Sequence, residues 1–95
     1  MGMYDTLQVE YPLPGKYKHL QKMTFQTQDL SNMLEQYIIN RKGMLMLCDG
    51  RGCQPVHYFG WLFFHIYINE TDEFIEFEAL FGIHGSVMQI RERNI

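Results

Sequence analysis

The segment that most constrains the fold spans residues 56–81, VHYFGWLFFHIYINETDEFIEFEALF. Side chains of a strand alternate between its two faces, and a strand over residues 61–69 therefore has mostly apolar side chains on both faces. One face carries Leu62, Phe64, Ile66 and Ile68. The other carries the residues that we call the aromatic stripe: Trp61, Phe63, His65 and Tyr67. A strand that is apolar on both faces is typical of the middle of a sheet, where a second layer or a partner covers the outer face.

The residues after this strand predict a hairpin. Residues 69–72, Asn-Glu-Thr-Asp, supply a turn, and the return strand alternates between apolar and acidic side chains. Its inward positions are Ile75, Phe77, Ala79 and Phe81, and its outward positions include Glu76 and Glu78. The segment therefore predicts two long antiparallel strands joined by a tight turn.

The rest of the chain predicts further short strands and one short helix. Strands are expected at residues 5–11, 23–27, 37–39, 44–48 and 87–91, separated by turns rich in glycine and proline. Residues 16–22 read as a polar surface loop. A helix is expected near residues 29–36, capped by Asp29 or Ser31, because apolar residues recur there at helical spacing: Leu30, Met33, Leu34 and Tyr37.

These elements predict a mainly β fold, an antiparallel roll or small sandwich of about six strands with that one helix. The chain has 95 residues, of which 46% are hydrophobic and 15% aromatic. A composition of this kind is globular, and a chain of this length forms one domain over residues 1–95.

Charge and length argue against two classes of partner. The formal net charge is -3, which disfavours nucleic acid, because phosphate binding needs an excess of Lys and Arg. The apolar run at residues 61–68 is far shorter than the roughly 20 residues of a membrane-spanning helix, so we expect no membrane partner. No signal peptide is visible at the N-terminus, which predicts a cytoplasmic protein with reduced cysteines.

Cys48 and Cys53 flank a glycine-rich turn, and three interpretations are open: a disulfide, half of a metal site, or two free thiols. A structural zinc site needs four ligands in close pairs, and neither His57 nor His65 completes one. We therefore expect no metal and no cofactor. Free thiols are favoured, because unpaired cysteine commonly behaves as a small buried hydrophobe.

Catalysis would have to use His65 or a Cys53–His57 pair. No nucleophile or orienting carboxylate can be assigned to either from the sequence, so we expect a protein that is not an enzyme. Acidic residues gather around the hairpin (Glu70, Asp72, Glu73, Glu76 and Glu78). They form a solvated strand face or a surface for a basic partner.

Three explanations of the aromatic stripe stay open. Burial under the predicted helix is one, and a pocket for an apolar small ligand around Trp61 and His65 is another. The third is a protein interface, with a homodimer as its commonest closed form. The expected function is a non-enzymatic protein-interaction module; its predicted interface comprises Trp61, Phe63, His65, Tyr67, Glu76 and Glu78.

Several segments resemble a group of small proteins encoded by bacteriophages, prophages and other mobile elements. The matching features are the opening Met1-Gly-Met-Tyr-Asp5, Tyr11-Pro-Leu-Pro14, Phe25-Gln-Thr-Gln-Asp-Leu30 and Tyr37-Ile-Ile-Asn40. In the second half the similarity is one of pattern, an aromatic strand, a turn and Glu-Phe-Glu-Ala-Leu-Phe81. The resemblance implies an accessory role in a mobile element, such as binding a host protein, and brings no catalytic residue with it.

Overall fold

Eight strands form one sheet in the computed structural model, which describes residues 4–93. The strands are β1 (Asp5–Val9), β2 (Thr24–Thr27), β3 (Gln36–Ile39), β4 (Leu45–Asp49), β5 (Gly52–Pro55), β6 (Gly60–Ile68), β7 (Glu73–Phe81) and β8 (Val87–Glu92). A 3-10 helix, Gly15–Leu20, lies between β1 and β2. The mainly β fold class is confirmed, with eight strands instead of about six. The first three residues of the opening that carries the resemblance lie outside the described residues.

The strand order is β5-β4-β3-β1-β2-β6-β7-β8, and β1 and β3 are the one parallel pair among neighbouring strands of this sheet. The sheet curls into a roll. This curvature brings Met44, just before β4, into an isolated bridge with Ser86, just before β8. The Val87 N–H donates to the Gly43 carbonyl at 2.8 Å. Gly43 has φ of 85°, and a Cβ there would lie 3.0 Å from the Val87 nitrogen, so the contact requires glycine.

The core fills the inside of the roll, and the predicted hairpin supplies much of it. Ile75, Phe77, Ala79 and Phe81 are all buried, as the alternation predicts. At the centre, the rings of Phe25, Phe64 and Phe77 lie 5.3–5.7 Å apart between centroids. Each buried ring contributes roughly 1.5–3 kcal/mol, so this cluster accounts for a large part of the stability of so small a domain.

The helix predicted near residues 29–36 is wrong. The segment is irregular, and Met33 and Leu34 are 65% and 64% exposed. Its backbone is held by the fully buried Asp5, whose carboxylate accepts N–H groups from Asn32, Met33 and Glu35 at 2.7–3.1 Å. A buried carboxylate must be hydrogen-bonded, and here it takes the amides that a helix would otherwise use.

The helical element lies instead at residues 15–20, where the sequence predicts a polar loop. Tyr17 and Leu20 are buried and fall on one side of the 3-10 helix at a spacing of three. The Tyr17 ring meets the Phe77 ring edge-on, with centroids 5.1 Å apart. This short helix therefore covers the core on the inside of the roll. No helix within residues 4–93 covers the outer face of β6.

Cys48 and Cys53 form a disulfide, so the preference for free thiols is wrong. Asp49 and Gly52 close a two-residue turn, and the β4–β5 register then sets the two cysteines directly opposite each other with Cα atoms 4.0 Å apart. The strand β5 (Gly52–Pro55), which the sequence analysis did not predict, is exposed throughout and is held beside β4 by this link. Within residues 4–93, no helix has the length and apolar character needed to cross a membrane.

Candidate functional site on the outer face of β6–β8

The candidate site is the outer face of β6, β7 and β8, and strand register alone brings its residues together. Phe63 lies opposite Glu78, and His65 lies opposite Glu76. On the next strand, Arg91 lies opposite Glu78. All six residues of the predicted interface are on this face, with the aromatic stripe on β6 and the two glutamates on β7. Arg91 and Arg93 extend the face onto β8 and its end.

The two arginines cover half of the aromatic stripe. The Arg91 guanidinium carbon lies 4.7 Å from the centroid of the Trp61 ring, and that of Arg93 lies 4.5 Å from the Phe63 ring. Each such contact is worth about 0.5–1 kcal/mol at an exposed site. Trp61 and Phe63 are consequently half-buried, although no second layer of secondary structure in the described part of the chain covers them.

The same arginines pair with the outward glutamates. Arg91 Nη2 lies 3.4 Å from Glu78 Oε2, and Arg93 Nη1 lies 3.7 Å from Glu76 Oε2. The predicted acidic face is therefore compensated along β7, and the uncompensated acidic charge lies at the β6–β7 turn with Glu70, Asp72 and Glu73. This role of the arginines was not predicted from the sequence, although Gln89, Arg91 and Arg93 recur at every second position along the last strand, as residues on one face do.

Exposed apolar side chains lie at both ends of the face. At one end, Tyr67 and Phe74 lie opposite each other and are 53% and 57% exposed. The Tyr67 hydroxyl donates to Asp72, and this hydrogen bond raises the Tyr67 pKa, because the carboxylate favours the protonated phenol. At the other end, Phe59 and Met88 are 69% and 67% exposed.

At this end of the face, the Met88 side chain packs closely against the backbone of Gly82. Phe59 immediately precedes β6, and Met88 lies over Gly82, where a Cβ would come within 2.9 Å of the Met88 sulfur. The absence of a side chain at Gly82 thus leaves the space that the end of the Met88 side chain occupies. From end to end, the face therefore carries the Tyr67–Phe74 pair, two ion pairs over rings, and the exposed Met88 side chain.

His65 lies in the middle of this face. Its Nε2 is 3.3 Å from Gln26 Oε1, and its ring is 5.1 Å from the Phe74 ring. The neighbouring cavity has a volume of about 180 Å³ and is lined in part by Phe63, His65 and Arg93. Pockets for drug-sized ligands usually measure about 300–1,000 Å³. This cavity is therefore smaller than the usual pocket for a drug-sized ligand. The face is better suited to contact with the surface of another protein.

The other predicted chemistry does not assemble. Cys53 is in a disulfide and has no thiolate to offer, so the Cys53–His57 pair is wrong as a nucleophile and base. His57 packs instead against Gly85. Across residues 4–93, no group of three or more His, Cys, Asp or Glu side chains is placed to hold a metal ion.

The comparisons with known proteins add no relative: no protein-family model matches the chain, and no curated protein or solved structure shows significant similarity to it.

Proposed function

We propose that this protein is a non-enzymatic protein-interaction module whose working surface is the outer face of β6–β8. The observation that carries the proposal is a face with exposed apolar side chains at both ends and two arginines stacked over rings between them. Aromatic residues, Met and Arg are the side chains enriched at protein interfaces, and Trp, Tyr and Arg dominate their hot spots.

The dimensions of the face support contact with a folded partner. Strands β6 and β7 each contain nine residues, which is about 30 Å at 3.3 Å per residue. Phe59, Met88, Tyr67 and Phe74 together expose apolar area at both ends of that length. Exposed apolar patches mark interaction sites on soluble proteins, and the facing Tyr67 and Phe74 side chains form one at the end of this face.

A second copy of the chain is the first partner that we propose. In a two-fold dimer with its axis along β7, β8 of each copy faces β6 of the other. Arg91 and Arg93 of one copy would then lie against the aromatic stripe of its partner. The same arrangement brings the Glu76 and Glu78 carboxylates of both copies together, and their pairing with the arginines is what reduces that repulsion.

The setting that we infer is an accessory protein of a bacteriophage or other mobile element, which could bind a host protein. Its support is the resemblance of the N-terminal half to such proteins. A cytoplasmic location belongs to the same inference, whereas the Cys48–Cys53 disulfide favours an oxidising compartment. The redox state of the two cysteines in the producing cell decides between the two locations.

The test of self-association is the molar mass in solution by light scattering across a concentration series. We expect the native chain to dimerise and a Tyr67→Glu, Phe74→Glu variant to stay monomeric and folded, because both side chains are exposed. Met33→Glu is the matched control, since it adds a charge at an exposed apolar residue outside the sheet. A native monomer at every concentration would overturn the dimer. Equal loss of dimer in the control would overturn the outer face of β6–β8 as its interface.

A further inference from the structure

A second surface of the molecule gathers most of its positive charge. Five of the eight lysines and arginines lie in two short segments: Lys16, Lys18, Lys22, Arg41 and Lys42. Neither segment, residues 16–22 or residues 41–42, contains an acidic residue. The remaining chain is strongly acidic by comparison, so a protein of net charge -3 carries a local basic region. Positive charge that is concentrated in this way attracts anions to that part of the surface.

The fold brings these two segments together beside the end of β1. The N–H groups of Glu10 and Tyr11 both donate to the Ile39 carbonyl, at 2.8 and 3.4 Å, which fixes the β3–β4 turn next to the chain that leaves β1. Lys22 and Arg41 consequently line the same cavity. The basic region is therefore a product of the parallel β1–β3 pairing, which connects segments that are remote in sequence.

Two adjoining cavities form a groove at this place, which we call the basic groove. The larger has a volume of about 630 Å³, and its lining includes Pro12, Leu13, Lys18 and His19. The smaller measures about 320 Å³ and includes Arg41. Glu10, Gln21 and Lys22 line both. Both volumes fall in the range of small-molecule sites.

The groove is held in shape by one side chain. Gln21 Oε1 accepts the Leu13 N–H at 2.9 Å, and its Nε2 donates to the Val9 and Tyr11 carbonyls at 2.5 and 2.9 Å. These three bonds tie the 3-10 helix segment back to the end of β1. The buried Tyr17 and Leu20 fix the same segment to the core. The walls are thus preorganised, which lowers the cost of binding a ligand.

The charges in the groove are available to a ligand. The ion pairs found within residues 4–93 are Arg91–Glu78 and Arg93–Glu76, both on the outer face of β6–β8. Lys18, Lys22 and Arg41 are exposed, and Glu10 is the acidic residue that lines the groove with them. The groove therefore combines an excess of cations with an apolar lining of the exposed Pro12 and the largely buried Leu13.

We propose that the basic groove binds a small organic anion, with a phosphate or carboxylate head at Lys22 and Arg41 and an apolar body on Pro12 and Leu13. This proposal is independent of the one for the outer face of β6–β8, because the two surfaces share no residue. An anionic head gains charge-assisted hydrogen bonds from Lys and Arg. The apolar body gains from removal of its surface from water.

The experiment is a titration of the full ¹⁵N-labelled chain, followed by amide chemical shifts, with hexyl phosphate and heptanoate as probes. Inorganic phosphate and hexanol serve as the head alone and the body alone. We expect at least one of the two amphipathic anions to shift amides of residues 10–22 and of Arg41, with an affinity at least about tenfold above phosphate and hexanol. The preferred probe distinguishes a phosphate from a carboxylate ligand.

Two charge reversals complete the test. Lys22→Glu should weaken binding at least about tenfold, whereas Arg51→Glu, at an exposed turn remote from the groove, should leave it unchanged. Both positions are exposed, so both variants should keep the native spectrum. The proposal is overturned if neither anion shifts the groove amides, if hexanol binds as well as the anions, or if Arg51→Glu weakens binding equally.

Discussion

Arg91 lies between Glu78 and Trp61, with its guanidinium carbon 4.7 Å from the centroid of the indole ring and one guanidinium nitrogen 3.4 Å from the carboxylate. This arrangement joins all three strands of the outer face. It explains how a strand that is apolar on both sides remains at the surface, because long cationic side chains cover the rings while their charged ends stay in water.

Replacing Arg91 should uncover the single tryptophan of the chain. In Arg91→Ala we expect the Trp61 emission to shift to the red and the free energy of unfolding to fall by about 1 kcal/mol, through loss of the cation–π contact and of an exposed ion pair. Fluorescence and urea unfolding measure the two effects. Arg51→Ala is the control, since that arginine lies in an exposed turn. Unchanged emission in Arg91→Ala would contradict the stacking.

Asp5 should be the most important polar side chain for stability. Asp5→Ala removes the acceptor of three backbone N–H groups between residues 32 and 35, and each buried unpaired group costs about 1–3 kcal/mol. We expect a loss of at least about 3 kcal/mol by urea unfolding. In Asp49→Ala, where the carboxylate accepts the Arg51 N–H at an exposed turn, the loss should stay below about 1 kcal/mol. Equal losses would mean that the segment does not depend on Asp5.

Stability should fall at alkaline pH because of Tyr37. Burial of this phenol raises its pKa, and its interaction with Glu35 acts in the same direction, while the Ser31 hydrogen bond opposes them. The folded pKa then exceeds the unfolded value of about 10, so the folded state keeps the proton that the unfolded state loses. The contribution is complete below pH 10 and is lost as pH rises through the folded pKa.

Tyr37→Phe removes this titration. We expect its free energy of unfolding to decline less steeply than that of the native chain above pH 10, measured by urea unfolding at a series of pH values. Tyr11→Phe is the comparison, because Tyr11 is only partly buried. An identical pH slope in Tyr37→Phe and native protein would contradict the assignment.

The Cys48–Cys53 disulfide should stabilise the domain modestly. The two cysteines are five residues apart in sequence, and closing so short a loop contributes about 2 kcal/mol by the chain-entropy estimate. Reduction should lower the free energy of unfolding by about that amount, which is seen as a lower urea midpoint. The chain should stay folded, because β5 is an exposed edge strand. A Cys48→Ser, Cys53→Ser variant should show the lower midpoint and no response to reductant. Complete unfolding on reduction would show that β5 is essential to the fold.

Local patterns predicted the part of the fold in which side-chain alternation and a tight turn agree. The β6–β7 hairpin follows from the period of two in residues 61–81, and its inward residues are buried as expected. The helix near residues 29–36 failed although its apolar spacing was helical. A carboxylate on β1, more than 25 residues away in sequence, accepts the amides of this segment instead. Such long-range competition leaves no local signal.

Only the part of the candidate site that depends on local alternation was predicted from the sequence. The aromatic stripe and Glu76 and Glu78 follow from alternation within two adjacent strands. The position of Arg91 over Trp61 depends on the register of a third strand, and the basic groove depends on the parallel β1–β3 pair. Neither register can be read from residues that are near in sequence. The disulfide differs, because its two cysteines are five residues apart across a tight turn and the sequence left a disulfide open; the β4–β5 pairing decides it.

The most direct test of the interaction face is a dilution series of the ¹⁵N-labelled native chain, followed by backbone amide and Trp61 indole signals. We expect concentration-dependent shifts at the Trp61 indole, at the amides of Phe63, Tyr67 and Phe74, and along β8, with little change elsewhere. Shifts confined to the β5 edge or the basic groove, or a spectrum that does not change with concentration, would contradict self-association through the outer face of β6–β8.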